Sequence, residues 1–130
     1  FSDDSRAGLQ TARQIVEHPA DMHVLHVLPI MEVADPGVIW ETIDDDSRRE
    51  HAEAALQREV RSQDLNEQVH VTIRFGDPGH EIAAYAEEID AGLIVVSSHG
   101  RTGLRHLLLG SVADRVVRLA KCPVLVLKRR

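Results

Sequence analysis

Cysteine, aromatic residues and long apolar segments are all scarce in this chain. The 130 residues include one cysteine, Cys122, so no internal disulfide can form and a reducing compartment such as the cytoplasm is expected. Aromatic residues make up only 3% of the sequence, so valine, leucine, isoleucine and alanine must fill the core. No apolar run approaches the roughly 18–20 residues that a membrane span needs. We therefore expect a soluble, cytoplasmic protein that does not bind a membrane.

Positive charge is also in short supply, because the formal net charge is -6. Nucleic-acid-binding domains need a basic face toward the phosphate backbone, so nucleic acid is not expected as a partner. Three of the basic residues stand together at 128–130, where a solvated tail and a small anion-binding patch are both compatible with the pattern.

The remaining pattern alternates helical and strand periods along a length that suits one domain, residues 1–130. The predicted helices centre on residues 5–16, 47–63, 79–89 and 111–119, and the predicted strands are residues 22–28, 69–75, 93–96 and 124–127. Such alternation predicts an α/β fold, a doubly wound open, mostly parallel sheet with helices on both faces.

Individual strands carry further information about their places in the sheet. Residues 93–96 are apolar on both faces, as in a central strand, whereas residues 69–75 alternate strictly, which is typical of an edge strand with one wet face. Residues 124–127 are also apolar on both faces. The first predicted element of the chain is a helix rather than a strand. We therefore expect the domain as given to lack its first β-strand, or another segment to fill that place.

One long loop follows the most apolar strand and is the candidate for chemistry. Ligands of open α/β sheets bind beyond the carboxyl ends of the strands, where residues 97–103 (SSHGRTG) lie. Gly110 and Ser111 then begin the last helix, where N–H groups and the helix dipole favour a phosphate. The alternative interpretation is that Gly100 and Gly103 only make turns and Ser111 only caps the helix.

Residues 93–128, from LIVVSSHGRTG to CPVLVLK, resemble the C-terminal signature of the universal stress protein family. The nucleotide-binding motif of that family reads Gly, two residues, Gly, nine residues, Gly, then Ser or Thr. The sequence matches this motif at Gly100, Gly110 and Ser111, and Ser97 takes the place of the first glycine. Weaker similarity extends through residues 1–5, 25–27 and 76–82. The resemblance implies a Rossmann-like, adenine nucleotide alpha hydrolase-like fold.

The resemblance also implies a site for ATP or AMP, with Mg²⁺ held through the phosphates. Val27 would flank the base, while backbone atoms of Val96 and Ser97 would approach the ribose or base. The phosphates would be surrounded by residues of the loop and the last helix, namely Gly100, Gly110, Ser111 and Val112. Arg101 is a further candidate for a charged contact. The resemblance also implies a homodimer formed through the strand from Val124 to Leu127.

Other constellations have simpler explanations. His23 and His26 are three residues apart on a strand, so they point to opposite faces and cannot share a metal ion. Acidic residues 44–46 directly precede a helix, whose N-terminus they stabilise. No catalytic group stands in a recognisable pattern, and no Walker-type lysine accompanies the loop.

We therefore expect a nucleotide-binding module that acts as a dimer in stress response or signalling, and that is at most a slow ATPase. The alternative is a dimerisation or interaction module that does not bind nucleotide, for which Ser97 in place of glycine is the sign.

Overall fold

The computed structural model describes residues 2–30, 44–65, 68–98 and 109–128. In these parts helices and strands alternate along the chain, as the sequence predicts. The helices are α1 (Asp3–Ile15), α2 (Asp45–Ser62), α3 (Pro78–Glu88) and α4 (Ser111–Leu119). The strands are β1 (His23–Leu28), β2 (His70–Phe75), β3 (Ile94–Ser97) and β4 (Val124–Leu127). A short 3-10 turn at Pro19–Asp21, which the sequence did not predict, leads into β1.

All strand pairing in the described residues is parallel, which confirms the predicted α/β fold class. Strands β1 and β2 pair from His23 opposite His70 to Leu28 opposite Phe75. Strands β3 and β4 form a second pair that starts with Ile94 opposite Val124. The two pairs are separate two-stranded sheets, and no described hydrogen-bonded ladder joins β1 to β3.

Two hydrophobic clusters hold these sheets to their helices. The first lies between helices α1 and α2 and one face of the β1–β2 sheet; its buried members include Val24, Leu56, Val60 and Ile73. The second joins α3 and α4 to the β3–β4 sheet around Val116, which is completely buried. Aliphatic side chains thus form both cores, as the shortage of aromatic residues requires.

The polar face of strand β2, predicted to be exposed to solvent, is partly covered by a helix, and β2 pairs with β1 alone among the described strands, as an edge strand does. Helix α3 lies over it, and the Tyr85 hydroxyl contacts His23 Nδ1 at 2.8 Å and Thr72 Oγ1 at 3.1 Å. Arg74 forms ion pairs with Glu81 and Glu88 of the same helix. Because these residues alternate with the apolar ones, α3 lies on the opposite face from α1 and α2. Helices therefore cover both faces of the β1–β2 sheet.

Side chains cap the first three helices but not the fourth. Ser2, Asp44 and Asp77 accept hydrogen bonds from the first turns of α1, α2 and α3. The Ser47 N–H donates to Asp44 at 2.7 Å and lowers the pKa of that carboxyl, so Asp44 stabilises this helix N-terminus as its N-cap, while Asp45 and Asp46 lie in the first turn. Helix α4 begins after Gly110 and has no side-chain cap.

Helices α2 and α3 end in the same way, each with an aspartate in the left-handed conformation. Asp64 has φ of 57° and Asp90 has φ of 53°. At the end of α3 the Ala91 N–H donates to the Ala86 carbonyl at 2.8 Å, which is the pattern of a Schellman motif. Glycine is the usual residue at this position because it has no Cβ to crowd the backbone.

We therefore expect Asp90→Gly to stabilise the protein by about 0.5–1 kcal/mol, because it relieves the left-handed strain and removes a negative charge from a helix C-terminus. Chemical denaturation followed by circular dichroism measures the change. Asp90→Ala is the matched control, since alanine also loses the charge but keeps the crowded backbone. Equal stabilisation by alanine and glycine would contradict the backbone explanation.

Among the described residues, none of the helices combines the length and the apolar character that crossing a bilayer requires.

Candidate functional site

The end of strand β3 and the start of helix α4 are joined directly by a backbone hydrogen bond. The Gly110 N–H donates to the Ser98 carbonyl at 2.6 Å, and the Ser98 N–H donates to the Leu127 carbonyl of β4 at 2.8 Å. Ser98 is buried, with 5% of its surface exposed. These bonds fix Gly110, the N-cap residue of α4, against the carboxyl end of the β3–β4 sheet, where ligands of such folds bind.

Helix α4 therefore presents its first-turn N–H groups at this edge of the sheet. Its first helical hydrogen bond runs from the Asp114 N–H to the Gly110 carbonyl at 2.9 Å. The N–H groups of Ser111, Val112 and Ala113 precede that bond, so they have no acceptor within the helix. The Gly110 N–H is not available to a ligand, because the Ser98 carbonyl accepts it. The donors available to an anion begin at Ser111.

The two residues that follow Gly110 have different surroundings. Ser111 is exposed, so its hydroxyl is accessible next to the backbone donors. The Val112 side chain is half-buried and packs against the second hydrophobic cluster. Ser111 therefore offers both its hydroxyl and its N–H to a ligand, whereas Val112 offers only backbone atoms.

The other predicted site residues are divided between the two sheets. Val96 and Ser97 are the last two residues of β3 and are half-buried. Val27 lies near the carboxyl end of β1, opposite Arg74 of β2. The structure thus groups Val96, Ser97, Gly110, Ser111 and Val112 around one junction and places Val27 on the neighbouring sheet. Gly100 and Arg101 lie outside the described residues.

A contact between helices α3 and α4 lies close to this junction, and sequence reasoning missed it. Arg115 Nη1 is 3.0 Å from Asp77 Oδ2, and the same oxygen accepts the His80 N–H at 2.9 Å. The pKa of Asp77 is lowered by the hydrogen bond from the His80 N–H and by the neighbouring Arg115. Residues 76–79 (GDPG) are typical of a turn, but no local pattern in the sequence indicates that Arg115 reaches it.

The chemistry that this junction offers is anion binding. A helix N-terminus without a side-chain cap attracts negative charge through its N–H groups and its dipole. Among the described residues there is no group of three or more histidine, cysteine, aspartate or glutamate side chains arranged to hold a metal ion.

Comparison with known proteins decides the family. A family model described as "Universal stress protein family" matches residues 1–128. The chain belongs to this family. It is 33% identical over 135 residues to Universal stress protein MJ0531 of Methanocaldococcus jannaschii, a match that covers 98% of this chain and 79% of that protein. It is 31% identical over 137 residues to Universal stress protein YxiE of Bacillus subtilis, covering 98% of this chain and 93% of that protein.

The structural comparison agrees with the sequence comparison. The solved structure of hypothetical protein MJ0577 superimposes with a TM-score of 0.81 at 29% identity, covering 100% of this chain and 91% of that one. The resemblance found in the sequence is thus confirmed at the level of family and fold. For this universal stress protein the structure describes two parts of the predicted site, the junction of β3 and α4 and Val27 of β1.

Proposed function

We propose that this universal stress protein binds an adenine nucleotide, ATP or AMP, with the phosphates at the start of helix α4. The observation that carries the proposal is the uncapped N-terminus of α4, fixed against the end of β3 by the bond between Gly110 and Ser98. Each of the other three helices has a side-chain cap that accepts one first-turn N–H. A bound phosphate satisfies the donors of α4 in the same way.

Proteins of the same fold support the choice of an adenine nucleotide. A universal stress protein family protein from Arabidopsis thaliana has been solved with AMP bound, at a TM-score of 0.59 and 23% identity. The universal stress protein from Archaeoglobus fulgidus has been solved in complex with dAMP, at a TM-score of 0.62 and 23% identity. A further universal stress protein was solved in complex with cAMP. These ligands share an adenine base and a phosphate group.

In the proposed arrangement the base lies toward Val27 and the ribose lies near the backbone of Val96 and Ser97. The phosphates contact Ser111, the backbone of Val112 and the glycines at positions 100 and 110. A magnesium ion is held through the phosphates themselves. We further propose that the protein works in the cytoplasm, in stress response or signalling, and without efficient hydrolysis of the nucleotide.

Titration of ATP and AMP into the purified protein by calorimetry tests the proposal. We expect saturable binding, with ATP raising the melting temperature of the protein. An absence of binding at millimolar ATP would contradict the proposal and favour the interaction module, for which Ser97 in place of the first motif glycine is the supporting observation. Phosphate release in the same samples measures any slow ATPase activity.

Ser111→Ala is expected to weaken ATP binding by about 0.5–1.5 kcal/mol, which is roughly two- to tenfold in Kd, because one hydrogen bond to a phosphate oxygen is lost. The variant keeps the backbone donors of the helix, so binding is reduced rather than abolished. Ser62→Ala is the matched control, since the Ser62 hydroxyl donates to the Glu59 carbonyl at the far end of α2. An unchanged Kd for Ser111→Ala would mean that the hydroxyl does not contact the ligand.

The dimer is proposed on the exposed side of strand β4. This strand pairs with β3 on one side, and no described strand pairs with its other side. Its four residues are only partly buried. An apolar edge of this kind favours pairing with another strand, and a second copy of the chain provides one.

A further inference from the structure

Helices α3 and α4 are in close contact where the first turn of α3 meets Arg115, in the middle of α4. Gly79 is buried in the first turn of α3, and a Cβ atom added there would lie 2.6 Å from Arg115 Cβ and 2.8 Å from Arg115 Cγ. Such distances are far shorter than van der Waals contact, so any side chain at position 79 would push the helices apart. The glycine therefore allows the stem of Arg115 to lie directly on α3.

The head of Arg115 then reaches the residue that caps α3. Its Nη1 atom is 3.0 Å from Asp77 Oδ2, and that oxygen already accepts the N–H of His80. One oxygen of the Asp77 carboxylate thus contacts both the first turn of α3 and the Arg115 side chain of α4. The pair is about half exposed, with 55% of the Arg115 side chain and 48% of the Asp77 side chain accessible. The ion pair therefore contributes little to stability, and its main effect is to fix the position of Arg115 relative to α3.

This contact is one helical turn from the proposed phosphate site. Arg115 follows Ser111 by four residues, so the two lie on the same face of α4. The start of α4 is consequently tied on two sides: to β3 through Gly110 and Ser98, and to α3 through Arg115 and Asp77. Movement of α3 relative to α4 would change the direction in which the first-turn N–H groups point.

We infer that Asp77, Gly79 and Arg115 are positioning residues that orient the start of helix α4 and thereby set the affinity for the phosphate groups of a ligand. The inference rests on the proposed nucleotide binding for its functional consequence. None of the three residues is assigned a contact with the ligand. Their effect is on the part of the binding energy that phosphate contributes, and not on recognition of the base.

The chain contains a matched control for this role. Lys121 Nζ is 2.8 Å from Glu87 Oε1, an exposed ion pair that joins the same two helical regions at their other end. Glu87→Gln breaks that pair without approaching Gly110 or Ser111. For the pair under test, Asp77→Asn removes the charge and retains a good N-cap residue, so the start of α3 stays capped.

The experiment measures Kd for ATP and for adenosine with wild type, Asp77→Asn, Arg115→Gln, the double variant, Gly79→Ala and Glu87→Gln. We expect Asp77→Asn and Arg115→Gln each to weaken ATP binding about two- to fivefold, the range of an exposed ion pair, with no further loss in the double variant. Gly79→Ala should weaken it about tenfold or more, because the helices must separate. Adenosine binding should stay unchanged, and Glu87→Gln should match wild type for both ligands.

Amide NMR spectra of the same variants without ligand provide the second readout. The signals of Gly110 and Ser111 should shift in Asp77→Asn, Arg115→Gln and Gly79→Ala, and stay at their wild-type positions in Glu87→Gln. Unshifted signals in all three variants would overturn the positioning role, whether or not nucleotide binds. Equal weakening of ATP and adenosine would overturn it as well. Shifted signals in a protein whose wild type binds no ATP would instead contradict the proposed function and leave the positioning of α4 supported.

Discussion

Valine in place of Gly110 is expected to reduce ATP affinity by about 10- to 100-fold or more. Its branched side chain would lie beside the first-turn N–H groups of α4 and would keep phosphate from reaching them. Gly110 has φ of -58° and ψ of 155°, a conformation that any residue adopts, so backbone strain does not enter. The fold should survive with a modest loss of helix stability, since valine is a poorer N-cap than glycine. Calorimetry and circular dichroism measure the two effects separately.

Gly92→Val is the matched control for this change. A Cβ atom at Gly92 would meet nothing within 4 Å, and the residue lies in an exposed bend before β3. The control should bind ATP as the wild type does. If Gly110→Val also binds ATP with wild-type affinity, the start of α4 is not the phosphate site.

Proline in place of Val126 is expected to convert the proposed dimer into a monomer. The Ser98 N–H donates to the Leu127 carbonyl and the Ile94 N–H donates to the Pro123 carbonyl. The backbone groups of these odd-numbered residues of β4 and its flank therefore point toward β3. By the alternation of a parallel ladder, Val126 directs its N–H away from β3 and toward the open edge. Proline removes that outward donor and places a ring at the edge, while it takes no hydrogen bond from the β3–β4 pair.

Sedimentation at micromolar concentration measures the change in oligomeric state. Val126→Thr is the conservative comparison, because threonine has a similar shape and keeps the N–H, so this variant should remain dimeric. A wild-type protein that sediments as a monomer, or a proline variant that remains a soluble dimer, would show that β4 is not the interface.

Local signals in the sequence account for most of the fold. The ends of β4 were predicted correctly because Pro123 precedes a short apolar run, and the start of α4 followed from Gly110 and Ser111. Helix α3 follows from the helix-start signal of Asp77 and Pro78 and from apolar residues at helical spacing. Each of these features depends on residues that are close together in the chain.

The details that sequence reasoning missed are contacts between distant segments. The pairing of Asp77 with Arg115, the bond between Gly110 and Ser98, and the covering of Thr72 by Tyr85 all depend on how helices pack on the sheets. Because of the bond to Ser98, Gly110, which is predicted to lie beside the phosphates, does not offer them its N–H. A resemblance to a family supplied the residues of the site, but it did not supply this hydrogen bonding.

The separation of the strands into two pairs, each with its own hydrophobic cluster, has a consequence for how the protein opens. Segments that share a core tend to exchange their amide hydrogens together, as one cooperative unit. The two clusters are not independent units, because helix α1 of the first also contacts β3, and helix α3 of the second also covers β1 and β2. A phosphate bound at the start of α4, as proposed, would protect the second cluster directly, and helices α1 and α3 would carry part of that protection to the first.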